Sequence, residues 1–103
     1  MDVAVTQTVS GVTPVTAQGQ VGLITTVSLV LAAATAGTFT VNNSAVDADS
    51  VVLVGISNYS GTTGIPVVRV NNCIAGTSFD IVVWNLHATL ALNGILKIGF
   101  QLL

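Results

Sequence analysis

The residues that could do chemistry in this chain are few. It has one histidine, His87, and one cysteine, Cys73, so a nucleophilic triad would have to use His87 as its base. His87 lies between apolar neighbours, no Gly-x-Ser-x-Gly elbow accompanies it, and no cysteine-enzyme signature surrounds Cys73. We interpret His87 as a structural histidine bonded to backbone and Cys73 as a small buried hydrophobe. The protein is therefore predicted not to be an enzyme.

Two further segments resemble parts of ligand sites. Asp47 and Asp49 match a fragment of a calcium loop, but such a loop needs a bidentate glutamate and the chain has no glutamate. We expect solvated turn residues here, with an ion on a trimer axis as the alternative. Residues 61–64 are glycine-rich, yet Ile65 and Pro66 follow them instead of the lysine and helix of a phosphate-binding loop. The sequence predicts no cofactor and no metal.

The composition excludes several kinds of partner. Only 6% of residues are charged, against about 25% in a typical soluble domain, and only two residues are basic. Two cations cannot neutralise a phosphate backbone, which excludes nucleic-acid binding and a basic membrane-surface helix. The most apolar stretch, residues 21–36, is short and rich in threonine for a spanning helix, and the chain opens without the basic residues of a secretory signal. We expect no targeting segment and no membrane insertion.

Strand patterns fill most of the chain. Valine, isoleucine and threonine favour pleated strands, and turn residues separate short apolar runs. Alternation places Phe79, Ile81 and Val83 on one face of a strand, and the run at residues 95–103 alternates in the same way. This pattern predicts one all-β domain over residues 1–103, an antiparallel, jelly-roll-like β-sandwich of about seven or eight short strands.

Five segments carry local expectations. We expect residues 95–103 to be central in a sheet because they end the chain with apolar residues. Residues 51–56 are apolar on both faces, which favours a central strand covered on both sides. Asn93-Gly94 is a strong turn signal before the last strand. Residues 28–36 fit a helix or an extended segment, and the extended segment is favoured; residues 86–91 could likewise hold a helical turn.

The surface lacks charge. The net charge is −2, low net charge promotes association, and exposed apolar patches usually mark interfaces. Alternation puts Val82 and Trp84 on the outer face of their strand, and Ile95 and Leu103 on the outer face of the last strand. We predict that these four residues line an interface between copies of the chain; the alternative is that a second sheet or loop of the same chain covers them.

Several phrases resemble domains at the ends of bacteriophage and large-virus particle proteins. They are GTFTVNNSAV (residues 37–46), DSVVLV (49–54), PVVRV (66–70), GTSFDI (76–81) and LNGILKIGF (92–100). Those domains are short β-sandwich or jelly-roll units, often trimeric, in tail fibres, spikes or capsid decorations. The resemblance, over residues 37–103, implies a virion structural or attachment domain that forms a homotrimer. Its other partners would be a host-surface receptor or further virion proteins, and no catalytic residues are implied.

A second hypothesis is a carbohydrate-binding or adhesin module of a bacterial cell surface. Trp84 and Tyr59, with nearby asparagines, could form a platform on which sugar rings stack. A small hydrolase that uses His87 is the third hypothesis. The expected location is the virion, with the bacterial cell surface as the alternative.

Overall fold

The fold is seen in a computed structural model that describes residues 3–103. These residues form eight strands and no helix, which confirms the all-β prediction. Accordingly, none of them belongs to a helix that is long and apolar enough to cross a membrane. The strands are β1 (Val3–Thr6), β2 (Val15–Thr16), β3 (Val21–Ser28), β4 (Ala36–Asn42), β5 (Val52–Tyr59), β6 (Pro66–Ile74), β7 (Ser78–Asn85) and β8 (Ile95–Leu102).

The strands make two four-stranded sheets. Sheet A has the order β1-β3-β8-β5, and sheet B has the order β2-β4-β7-β6. Within the described residues, every connection except the β6–β7 hairpin crosses from one sheet to the other. The two sheets together form a β-sandwich, and the chain alternates between them along most of its length.

The sheets are mixed, which corrects the antiparallel part of the β-sandwich prediction. β1 pairs with β3 and β2 pairs with β4 in parallel, whereas the other four pairs are antiparallel. Parallel neighbours need a crossover between them. The alternating path supplies one, because the chain leaves sheet A for β2 before it returns as β3. Hydrophobic alternation identifies the face of a strand but carries no information about its direction.

The core lies between the two sheets. Phe79, Ile81 and Val83 on β7 are buried in it, as their alternation predicts. Phe79 meets Phe100 of β8 edge to face across the two sheets, with ring centroids 5.6 Å apart. The other fully buried apolar side chains of the strands are Ile24, Phe39, Val41, Leu96 and Ile98.

The local expectations have mixed outcomes. β8 lies between β3 and β5, so the central position predicted for residues 95–103 is confirmed. Residues 28–36 continue β3 and then form an extended loop with a turn, and residues 86–91 contain no helical turn. Asn93-Gly94 lies in the β7–β8 crossover, which joins different sheets.

The prediction for residues 51–56 is wrong. β5 is an edge strand of sheet A, and Leu53 on its outer face is 49% exposed. Only the inward residues Val52 and Val54 pack against the core. An uncharged apolar run has the same sequence pattern whether the rest of the chain buries both of its faces or leaves one exposed. The pattern therefore could not distinguish an edge strand from a central strand.

Candidate functional site

The residues considered for chemistry lie at different places in the fold. His87 follows β7 at one end of the sandwich, whereas Cys73 lies near the far end of β6. Cys73 is half-buried and packs against the core. The Nδ1 atom of His87 accepts hydrogen bonds from the N–H groups of Thr89 (3.1 Å) and Leu90 (3.0 Å). His87 therefore holds its own loop, as expected for a backbone-bonded histidine.

Asp47 and Asp49 lie in a turn. The Oδ1 atom of Asp47 accepts a hydrogen bond from the N–H of Asp49 (3.0 Å), and the Ser50 hydroxyl accepts one from the N–H of Asp47 (3.0 Å). Both carboxylates are exposed, which agrees with solvated turn residues. Across residues 3–103, no group of three or more His, Cys, Asp or Glu side chains is placed to hold a metal ion.

Four uncharged loops meet at one end of the sandwich, and we call this surface the charge-free end. β3 ends at Ser28 beside Ile95 at the start of β8, and β7 ends at Asn85 beside Pro66 at the start of β6. The loops at this end are residues 7–14, 29–35, 60–65 and 86–94. None of them contains Asp, Glu, Lys or Arg.

Backbone hydrogen bonds connect three of these loops to one another, and the fourth, loop 7–14, lies beside loop 29–35, where Gly11 faces the Leu29 side chain. Loop 29–35 bonds to loop 86–94 at both of its ends, and loop 86–94 bonds to loop 60–65. The pairs are Leu29 N–H to Gly94 O (2.8 Å), Ala34 N–H to His87 O (3.0 Å), Leu92 N–H to Leu31 O (2.9 Å) and Leu86 N–H to Ile65 O (2.9 Å). The charge-free end is thus a continuous surface built by the topology.

Asn85 ties three of the loops together. Its side chain is fully buried and bonds only to backbone groups. Its partners are the carbonyl oxygens of Leu31 (3.1 Å), Ala32 (3.3 Å) and Leu90 (2.9 Å), and the N–H groups of Ile65 and His87 (both 3.1 Å). A buried amide with both its donors and its acceptor in use fixes the positions of all the segments it touches.

Asn93 and Tyr59 form a second clamp. The Oδ1 atom of Asn93 accepts hydrogen bonds from the N–H groups of Thr62 (2.7 Å) and Thr63 (3.0 Å). The Tyr59 hydroxyl donates to the Thr63 carbonyl (2.6 Å) and accepts from the Asn93 N–H (2.8 Å). Gly94 allows the close approach, because a Cβ there would lie 2.5 Å from the Cα of Gly61.

The charge-free end exposes large apolar side chains. Val9 is 93% exposed and Val30 is 83% exposed. The others in these loops are Val12, Ile65, Leu86 and Leu90. The charged groups of the described residues lie elsewhere: Lys97 is on the outer face of sheet A, Arg69 and Asp80 are on the outer face of sheet B, and Asp47 and Asp49 are in the β4–β5 loop at the opposite end.

A cavity of about 510 Å³ opens between loops 7–14 and 29–35. Aliphatic side chains dominate its lining: Val9, Val12, Val27, Leu29, Val30, Leu31 and Val83. Most of its hydroxyls are already engaged, since Ser10 bonds to Thr13 (3.1 Å) and Thr35 to the Ala32 carbonyl (2.7 Å). The cavity is therefore suited to an apolar group.

Val9, at the rim of this cavity, has a strained backbone. Its φ is 71°, in the left-handed region. A β-branched residue rarely adopts this conformation, and the strain costs about 1–3 kcal/mol. The strained turn holds an almost fully exposed apolar side chain at the tip of loop 7–14.

The four residues predicted to line an interface do not form one patch. Trp84 (37% exposed, sheet B) and Ile95 (39% exposed, sheet A) border the charge-free end. Leu103 is exposed at the opposite end, where its N–H bonds to the Val51 carbonyl.

The structure does not support Val82 as part of an interface, because its side chain is only 5% exposed in the single chain. Its neighbours across the adjacent strands are Thr38 and Arg69. Alternation identifies the outer face of a strand, but it does not indicate how far neighbouring strands cover that face.

The sequence analysis did not identify Val9, Val30, Leu86 and Leu90 as a group. The lack of charge in their segments is visible in the sequence, but only the topology brings loops so distant along the chain to one end.

No family model, curated protein or solved structure matches this chain. Fold and site together define an all-β domain of the β-sandwich class whose most distinctive surface is apolar and uncharged.

Proposed function

We propose that this chain is a self-associating structural or attachment domain of a virus particle, in a tail fibre, spike or capsid decoration. It forms a homotrimer and resides in the virion. It assembles into the particle and contacts a host-surface receptor or other virion proteins. It needs no cofactor and catalyses no reaction.

The observation that carries this proposal is the charge-free end. Burying a large aliphatic side chain contributes roughly 1.5–3 kcal/mol, while association costs about 4–15 kcal/mol. Several exposed side chains must therefore be buried together before copies associate stably. Loops 7–14, 29–35, 60–65 and 86–94 present such a set, with Trp84 and Ile95 at its border.

The assignment to a virus particle and to a trimer is supported by the resemblance of residues 37–103 to terminal domains of particle proteins. The β-sandwich of two four-stranded sheets is consistent with the β-sandwich or jelly-roll units of those proteins.

The carbohydrate-binding alternative has less support from the geometry. Its platform needs two aromatic rings, but the Tyr59 ring packs against the core and its hydroxyl holds loops 60–65 and 86–94. Trp84 alone remains exposed, on the other sheet. Self-association would bury the exposed apolar side chains of all four loops, whereas a sugar platform would use Trp84 alone.

Sedimentation equilibrium of the purified chain at micromolar concentration tests the proposal. A homotrimer has three times the 10.4 kDa mass of one chain. A single species of 10.4 kDa would overturn the proposal.

A further inference from the structure

We infer that the charge-free end is the surface at which copies of this chain meet around a rotation axis. This inference rests on the proposed self-association and names its contact surface. The occupant of the apolar cavity is then an aliphatic side chain of a second copy.

Rotational symmetry restricts which surface can lie at the axis. Near the axis of a closed oligomer, each group lies close to its own copies in the neighbouring subunits. A charge there meets an identical charge, and like-charge contacts across an interface are costly. The surface at the axis must therefore be uncharged or must pair its charges internally.

Only one of the surfaces described above is free of charge. The outer face of sheet A carries Lys97, and among the described residues no carboxylate lies on that face. The outer face of sheet B carries Arg69 and Asp80, with the Asp80 carboxylate bonded to the Thr40 hydroxyl (2.8 Å). The opposite end carries two like charges, Asp47 and Asp49. Of these surfaces, only the charge-free end contains no Asp, Glu, Lys or Arg.

The shape of this end also suits a contact between copies. Val9 and Val30 project almost fully into solvent beside a cavity of about 510 Å³. A lone copy thus presents both apolar projections and an apolar hollow. A neighbouring copy related by rotation presents the same exposed valines and the same cavity. The valines of one copy can therefore fill the cavity of the next.

Val9→Asp is the variant that tests the charge-free end with the least risk of unfolding the chain. Aspartate adopts positive φ more readily than valine, so the change relieves strain at φ 71° while it adds a charge to the surface. We expect the variant to fold and to lose its self-association. Val30→Lys places a charge of the other sign on the neighbouring loop and should have the same effect.

Leu103→Asp is the matched control, because Leu103 is 69% exposed at the opposite end. Size-exclusion chromatography with light scattering gives the mass of each protein, and circular dichroism reports its fold. We expect the wild-type chain and Leu103→Asp to keep the mass of three copies, and Val9→Asp and Val30→Lys to fall to that of one folded copy.

The possible failures are distinguishable. If the wild-type chain itself has the mass of one copy, the proposed function is wrong. If the wild-type chain is a trimer and both folded variants remain trimers, the proposed function stands and the charge-free end is not the contact. Dissociation of Leu103→Asp alone would move the interface to the opposite end. Dissociation of Leu103→Asp together with both variants would also overturn the inference, because the effect would then not belong to one surface.

Discussion

The Asn85 side chain is the most informative place to perturb this fold. Asn85→Ala removes five hydrogen bonds to buried or half-buried backbone. A hydrogen bond contributes about 0.5–1.5 kcal/mol net, and water can reach part of this loop region, so we expect a loss of about 3 kcal/mol. A domain of this size has about 5–15 kcal/mol in total. With a urea m-value of about 1–2 kcal/mol per M, the unfolding midpoint should fall by about 2 M.

Urea titrations at one fixed protein concentration measure this loss, since association would otherwise shift the midpoint. Far-UV circular dichroism is the signal, because Trp84, the one tryptophan, is adjacent to the mutated residue. Asn42→Ala is the control: Asn42 is exposed, and its change should stay within about 0.5 kcal/mol.

A second substitution tests the donor role of Asn85. Asn85→Asp keeps an oxygen that can accept the N–H groups of Ile65 and His87. It replaces the Nδ2 donor of the wild-type chain with a second carboxylate oxygen, which then faces carbonyl oxygens such as that of Leu31. It should destabilise the fold at least as much as Asn85→Ala. A midpoint for Asn85→Ala or Asn85→Asp within the error of wild type would refute the clamp.

Three further predictions concern other supports of the fold. Gly94→Ala should destabilise by about 2 kcal/mol or more because its Cβ meets the Gly61 backbone, whereas Gly55→Ala, with nothing within 4 Å, should be neutral or slightly stabilising; opposite shifts in melting temperature check the pair, and equal shifts would contradict it. His87→Ala should cost about 1–2 kcal/mol through the lost bonds to the β7–β8 loop, and an unchanged denaturation midpoint would remove its structural role. Deletion of residues 98–103 removes most of the central strand β8 and should abolish folding; a truncated chain with a cooperative circular dichroism melt would show that β8 is dispensable.

The strand content could be predicted from the sequence because alternation identifies the face of each strand that points to the core. Phe79, Ile81 and Val83 lie in the core as their spacing requires, and β8, whose alternate residues Leu96, Ile98 and Phe100 are buried, is a central strand. Strand direction and edge position could not be predicted. They depend on which strands become neighbours, and the run at residues 51–56 has the same composition at an edge as at a centre.

The candidate surface was predictable only in part. Scarcity of charge indicated an interface, and Trp84 and Ile95 do border the charge-free end. Val82 lies on the predicted outer face but is only 5% exposed, which alternation does not indicate. Val30 belongs to a loop that meets loop 86–94 through the sheet order and the Asn85 clamp, and the sheet order places Val9's loop at the same end; neither cause leaves a local pattern in the sequence.

Concentration-dependent hydrogen exchange tests the central claim most directly. Backbone amides in residues 29–35 and 86–94 should exchange more slowly at concentrations where copies associate than at high dilution. Amides in residues 43–51, at the opposite end, should exchange equally in both conditions. Protection that appears at residues 43–51 while residues 29–35 remain unchanged would contradict the claim that copies meet at the charge-free end.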